Sequence, residues 1–202
     1  CVDEATPLSP LTFYGQSKKA GEEIALKYSA SFPVKVIRPP VVYGPREENL
    51  YTFFKLIKKG WGLQIGRSPK KVSLLYVTDL VKAMIAVCDP RSSQKKIYFV
   101  TDGETYSWEE VAKAAAHKMN VSMKAVLIPE SILIPIAIFF EALAMLSAKP
   151  ALFDRQRMID IRQSCWTASS ENFFRDYGFT PQFKLAMGLA CTLDWYVRQK
   201  WL

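Results

Sequence analysis

The 202 residues, 23.0 kDa, are half apolar and 23% charged, enough for one sizeable core and unlike a disordered or collagen-like chain. A single histidine, His117, and four scattered cysteines (Cys1, Cys88, Cys165, Cys191) with no CxxC pair exclude a His-rich metal site, a zinc or iron–sulfur site and a disulfide framework, and point to a reducing, cytoplasmic setting. The net charge of +8 lies wholly between Tyr51 and Val100, which hold ten basic and two acidic residues.

The chain opens at Cys1 without the charged and apolar regions of a signal peptide. Residues 11–31 place apolar and small residues at helical spacing, with Pro10 near the start. Val34–Ile37 is a β-branched run that passes into an extended segment at Arg38-Pro39-Pro40. A helix is predicted over 50–59, stopped by Gly60, and Gly60-x-Gly62-x3-Gly66 reads as a helix stop and loop. Val72–Val77 is the second predicted strand, with Asp79 capping or opening a helix over 79–88.

Ile97–Val100 forms a third strand, and Ser107 with Glu110 three residues on gives a capping box. A fourth strand, 123–128, ends before Pro129. Helical periodicity then runs over 130–147, 154–163, 169–177 and 182–199. Alternating strands and helices followed by helices predict an open α/β sheet that passes into a helical lobe.

The basic block contains Lys55, Lys58, Lys59, Arg67, Lys70, Lys71, Lys82, Arg91, Lys95 and Lys96. It is read as a solvated face or a site for an anionic partner. Nucleic acid is not expected, because no stacking platform or recognition motif accompanies it. The stretch Val126–Ala148 is the most apolar, but Pro129, Glu130, Pro135 and Glu141 interrupt it. It is expected to line a core or a ligand, and beside a basic lobe it leaves room for a peripheral membrane contact.

Tyr14 and Lys18 stand four apart on the first helix and so share a face. A phenol with an ammonium at that spacing suits proton transfer at a reacting oxygen. Tyr51/Lys55 and Tyr196/Lys200 have the same spacing, so spacing does not choose among them. The context of Tyr14 does. It lies in Tyr14-Gly15-Gln16-Ser17-Lys18-Lys19-Ala20-Gly21-Glu22, ahead of Arg38-Pro39-Pro40-Val41-Val42-Tyr43-Gly44-Pro45-Arg46. With Leu74-Leu75-Tyr76-Val77-Thr78-Asp79-Leu80 and the closing Tyr177-Gly178-Phe179-Thr180-Pro181 before a helix with Trp195, the sequence resembles the extended short-chain dehydrogenase/reductases along its whole length.

That resemblance implies the C-terminal part of an NAD(P)-binding Rossmann-like, doubly wound sheet joined to a mostly helical substrate-binding lobe. Residues 1–45 would be the remnant of the dinucleotide-binding domain, and 46–202 the substrate region, with 72–100 returning to the sheet. Tyr14 would be the acid/base, and Lys18 would hold the nicotinamide ribose and assist ionisation of Tyr14. Pro39, Pro40, Val41 and Val42 would lie along the nicotinamide of NAD or NADP. The family's Gly-rich turn and its catalytic Ser or Thr are not among these residues, so the chain alone is expected to be inactive. The resemblance also implies a homodimer.

Nucleotide-sugar enzymes of the superfamily commonly carry Asn and Arg where this chain has Val41 and Val72, and neither valine can bond a diphosphate. The 132–140 segment supplies an apolar wall ending in Phe139 and Phe140. The expected substrate is therefore a small apolar alcohol or ketone, steroid- or flavonoid-like, met by Tyr43 and Phe139. Arg67, Lys70 or Lys71 would be placed to take a phosphate. A nucleotide-sugar epimerase or dehydratase, and a non-catalytic cofactor-sensing or scaffold protein, are the alternatives.

Overall fold

The computed structural model describes residues 1–89, 96–147 and 154–202, the last three of the middle span as backbone only. Arg91 and Lys95 of the basic block lie outside the described residues. Helix α1 (Phe13–Lys27) starts two residues later than its periodicity suggests, because Thr12 caps it. The buried Thr12 hydroxyl accepts the Gly15 N–H at 3.3 Å. Pro10 lies against the first turn, where a Cβ on Gly15 would come within 3.0 Å of its own.

Strand β1 (Val36–Arg38) pairs in parallel with β6 (Ile97–Phe99). Pro39 and Pro40 have no N–H to continue that ladder, and the chain shifts to a new partner. It resumes as β2 (Val41–Tyr43), parallel to β5 (Leu74–Tyr76), where the sequence indicated only an extended segment. Helix α2 (Asn49–Lys58) ends at Gly60, whose φ of +84° suits glycine. The expected loop after it is instead strand β3 (Trp61–Ile65), paired in parallel with β8 (Lys124–Ile128). Its glycines mark the ends and a close approach, since a Cβ on Gly62 would collide with Met123.

The expected Val72–Val77 strand is split. Lys71–Val72 (β4) pairs antiparallel with β7 (Tyr106–Ser107) and parallel with β9 (Cys165–Trp166). Ser73 turns aside, its N–H bonded to the Trp166 carbonyl, before β5 begins. Val77 already belongs to helix α3 (Val77–Val87). Asp79 sits in the first turn of α3, but its buried carboxylate accepts the Gln182 and Phe183 N–H groups, each at 2.9 Å. It thereby fixes the entry to α8 (Leu185–Arg198).

Helix α4 (Trp108–Lys118) opens with the predicted capping box, the Glu110 N–H donating to the Ser107 hydroxyl at 3.1 Å. Helices α5 (Leu133–Ser147), α6 (Arg155–Arg162) and α7 (Glu171–Tyr177) follow, the last closed by left-handed Gly178. The largest core joins α2, α4 and α8 through Phe54, Ile57, Ala112, Ala115, Leu189 and Tyr196. A second joins α3, β5, β6 and α7 through Ala83, Leu75, Tyr98 and Phe173. A third holds α5 and α6 together at Leu133, Ala137 and Met158, against Ile65 of β3 and Ile128 of β8.

Asp102 is fully buried where the chain leaves β6, accepting the Tyr106 hydroxyl at 2.8 Å and the Glu104 N–H at 3.0 Å. Burial nonetheless raises its carboxyl above the ordinary 3.8. A carboxyl that holds its proton more tightly folded than unfolded stabilises the fold below the unfolded value and loses that contribution as pH rises through the folded one. Relative to the unsubstituted protein, Asp102→Asn should therefore gain stability as pH is raised above 3.8, whatever its constant offset. Urea midpoints at stepped pH measure the difference, and one that stays flat with pH refutes the assignment.

Candidate functional site

The site is built on α1, a helix with no buried residue of its own. Tyr14 stands in its first turn, 69% exposed, with the Lys18 ammonium 5.4 Å from its ring centroid. Among the described residues, three polar ties join the helix and its short extension to the rest of the chain. The Phe13 N–H donates to Gln156 Oε1 of α6 at 2.9 Å, joining the Tyr14 end to the helical lobe. In mid-helix, Glu22 accepts from Arg38 of β1, with Nε at 2.9 Å from Oε2 and Nη2 on Oε1. Beyond the helix end, the Lys96 ammonium donates to the Ser29 hydroxyl at 2.7 Å.

The other two Tyr-x3-Lys pairs are occupied differently. The Tyr51 hydroxyl donates to the Trp201 carbonyl at 2.6 Å, although Lys55 lies 5.5 Å from its ring. Tyr196 is fully buried and donates to the Glu47 carbonyl. Burial pushes its phenol well above the ordinary 10.0, so it is a core residue. Of the three, Tyr14 is exposed, Tyr51 half-buried and Tyr196 fully buried.

Pro39 is exposed and Pro40, Val41 and Val42 are half-buried where β1 gives way to β2, with Val41 packed against the largest core. Tyr43, expected at the substrate, lies in the core. It is 1% exposed, packs edge-on against Tyr76, and lies so close to Gly188 that a Cβ there would overlap its hydroxyl. The strand alternates faces, so the residue after half-exposed Val42 points into the core. Its buried hydroxyl has no hydrogen-bond partner, and burial raises its pKa.

The three expected phosphate contacts are not equivalent. The Lys70 side chain is only 10% exposed, with its ammonium 2.8 Å from both Glu130 Oε1 and the Arg162 carbonyl oxygen. The hydrogen bond and charge of Lys70 hold the Glu130 carboxyl below its ordinary value. Arg67 is exposed and lines a shallow cavity with Gly66, Ser68, Leu127, Pro129 and Glu130. Lys71 is exposed on β4. The remaining described cations are spread over α2, α3 and β6, where Lys82 bonds Gln182 and Lys96 bonds Ser29. The block is thus dispersed and partly engaged within the chain. Phe139 is 61% exposed on α5. Among the described residues no group of three or more His, Cys, Asp or Glu could hold a metal.

The family model described as the RmlD substrate binding domain matches residues 2–136. The chain belongs to this family. It is part of the extended short-chain dehydrogenase/reductases that the motifs resemble, and the likeness to the solved structures bears out the Rossmann-type α/β reading. The RmlD-type chain is 26% identical over 194 residues to a ceramide reductase of Caulobacter vibrioides, covering 95% of this chain and 59% of that protein. It is 31% identical over 112 residues to a UDP-glucose 4-epimerase of Vibrio cholerae, covering 54% and 34%. Among solved structures, a dTDP-glucose 4,6-dehydratase of Bacillus anthracis in complex with NAD superposes with a TM-score of 0.70 at 19% identity, covering 98% of this chain and 56% of that one. The RmlD-type chain therefore spans little more than half the length of the reductase and the dehydratase, and about a third of the epimerase. Reductases, epimerases and dehydratases all occur among its relatives.

The sequence did not single out the Glu22–Arg38 clamp, the Thr12 cap or the Gln156 tie. Glu22 lies inside the Tyr14 motif and Arg38 opens the Pro-Pro segment, but their pairing needs the fold that stacks α1 on β1.

Proposed function

We propose that this chain is the acid/base and substrate-holding part of an NAD(P)-dependent enzyme that moves a hydride between nicotinamide and a secondary alcohol or ketone on an apolar substrate. The observation that carries it is the singular state of Tyr14, exposed in the first turn of α1 beside the Lys18 ammonium while Tyr51 and Tyr196 are tied into packing. In this reading residues 1–45 belong with the dinucleotide-binding domain and 46–202 with the substrate region. Bound NAD(P) supplies or accepts the hydride. Tyr14 gives or takes the proton at the substrate oxygen. Lys18 holds the nicotinamide ribose. The donor set fits the group: an exposed O–H and an ammonium on one helix, with apolar, partly accessible side chains at Pro39–Val42.

The likeness to a ceramide reductase, which runs over nearly the whole chain, favours a long-chain lipid over a steroid- or flavonoid-like ring system. Val41 and Val72 offer nothing to a diphosphate, and Lys70 is already held by Glu130. The nucleotide-sugar reading draws on the epimerase likeness and on exposed Arg67 and Lys71. Given nicotinamide cofactor, the whole protein should turn over long-chain ketones or alcohols and leave UDP- and dTDP-sugars untouched. Turnover of the sugars with no activity on the ketones sinks the reductase reading. The 202-residue chain alone should show no cofactor binding in a fluorescence titration at micromolar concentrations, and saturation there would refute its dependence on further residues.

A further inference from the structure

Helix α5 is packed on one side only. Leu133 and Ala137 are buried against Met158, Ile65 and Ile128, and half-buried Glu141 accepts from Arg155 at 2.9 Å. Every exposed residue from Leu133 to Ala144 is apolar, among them Ile136, Ile138, Phe139, Phe140 and Leu143. With Ile132 of the preceding turn, Ile136, Phe139, Phe140 and Leu143 fall at helical spacing and make one continuous stripe. The single acid on the helix thus lies on its packed side, paired, and the outward arc is entirely apolar.

A basic rim borders the start of the helix. Lys70 and Arg162 flank the Glu130 carboxylate, with Arg162 Nε 4.0 Å from Oε2, and Arg67 lines the same shallow cavity as Glu130. Arg67 is exposed and the Arg162 side chain is 49% exposed, so positive charge remains uncompensated at the surface. No helix among the described residues is long and apolar enough to cross a membrane, and a helix of 15 residues is too short to span one.

We propose that the outward arc of α5 and its basic rim form a docking surface for an anionic lipid bilayer. The apolar stripe enters the headgroup–acyl boundary, while Arg67 and Arg162 meet lipid phosphates. A second copy of this chain is the poorer occupant, because pairing two such faces would bring two positive rims together. Docking places Phe139 where an apolar substrate can leave the bilayer. That last step rests on the reductase reading above, whereas the docking does not.

The test is flotation of the whole protein with vesicles, without cofactor or substrate. Binding is expected on phosphatidylcholine vesicles that contain phosphatidylglycerol, and should weaken about tenfold on phosphatidylcholine alone and in high salt. Ile136→Asp with Leu143→Asp should lower binding about tenfold or more. Ile85→Asp, on the equally exposed α3, should leave it unchanged. If the aspartates disturb folding by circular dichroism, the corresponding serine pair replaces them. The proposal is overturned by an unsubstituted protein that does not float, by α5 variants that bind as well as the unsubstituted protein, or by a dimer that those variants dissociate in the absence of vesicle binding. Turnover of a short soluble ketone is read separately, and its failure counts against the reductase reading alone.

Discussion

Replacing Tyr14 by Phe in the whole protein should lower turnover by roughly 10²- to 10⁴-fold and leave the melting temperature where it was. The two halves of this expectation have separate causes. The Tyr14 ring is 69% exposed, so the fold loses no packing and no buried hydrogen bond when the hydroxyl goes. In the proposed reaction the substitution removes the proton carrier, a group that contributes two to four powers of ten where it is positioned at a reacting oxygen. The same substitution at Tyr51 or Tyr196 should show the reverse pattern. Each gives up a hydrogen bond to a backbone carbonyl, Trp201 or Glu47, and should cost about 1 kcal/mol of stability with turnover nearly unchanged. Steady-state hydride transfer and thermal melts on the three variants decide the matter. Unchanged turnover in Tyr14→Phe would remove both the acid/base role and the enzyme reading built on it, and favour a cofactor-sensing or scaffold protein.

What the sequence could and could not reveal follows the range of the interactions involved. The α4 start was legible because Ser107 and Glu110 satisfy each other within one turn. The parallel strands β1, β6 and β8 were legible as short β-branched or aromatic runs bounded by Pro or polar residues. Strand β3 was hidden because its glycines suggest a loop, and what makes it a strand is β8, some sixty residues further on. The break at Ser73 is invisible locally, since the bond that turns it aside comes from the Trp166 carbonyl. Tyr43 looked available after the Pro-Pro-Val-Val run, yet the space that swallows its ring is left by Gly188 on α8. Periodicity marked three Tyr-x3-Lys pairs as equals; the residues around Tyr14 set it apart in the sequence, and tertiary burial sets it apart in the fold.

Glu22→Ala should cost about 3 kcal/mol of stability and lower turnover as well, although Glu22 touches no candidate substrate contact. Its side chain and that of Arg38 are 13% and 14% exposed, so this is not a solvated surface pair of small worth. Arg38 also lies 5.4 Å from the Phe99 ring centroid, and its Nη1 is buried without a partner, so the guanidinium cannot turn out to water when its carboxylate is removed. A buried charge left alone is what makes such a truncation expensive. The link to turnover follows from α1 itself. Among the described residues no side chain of α1 is buried, and the helix is tied through Glu22, the Phe13–Gln156 bond and the neighbouring Lys96–Ser29 bond. Loosening the middle tie lets Tyr14 move relative to the Pro39–Val42 segment that follows Arg38, and small displacements of a positioned group cost rate. A double variant separates positioning from stability. Glu22→Leu with Arg38→Met replaces the pair by apolar groups of similar size and should recover most of the stability. If turnover recovers with it, the clamp acts by holding α1 in place. If stability returns and turnover does not, the charges themselves tune the site. A single Glu22→Ala cost below about 1 kcal/mol would show that the pair behaves as a surface one and that α1 is held by other means.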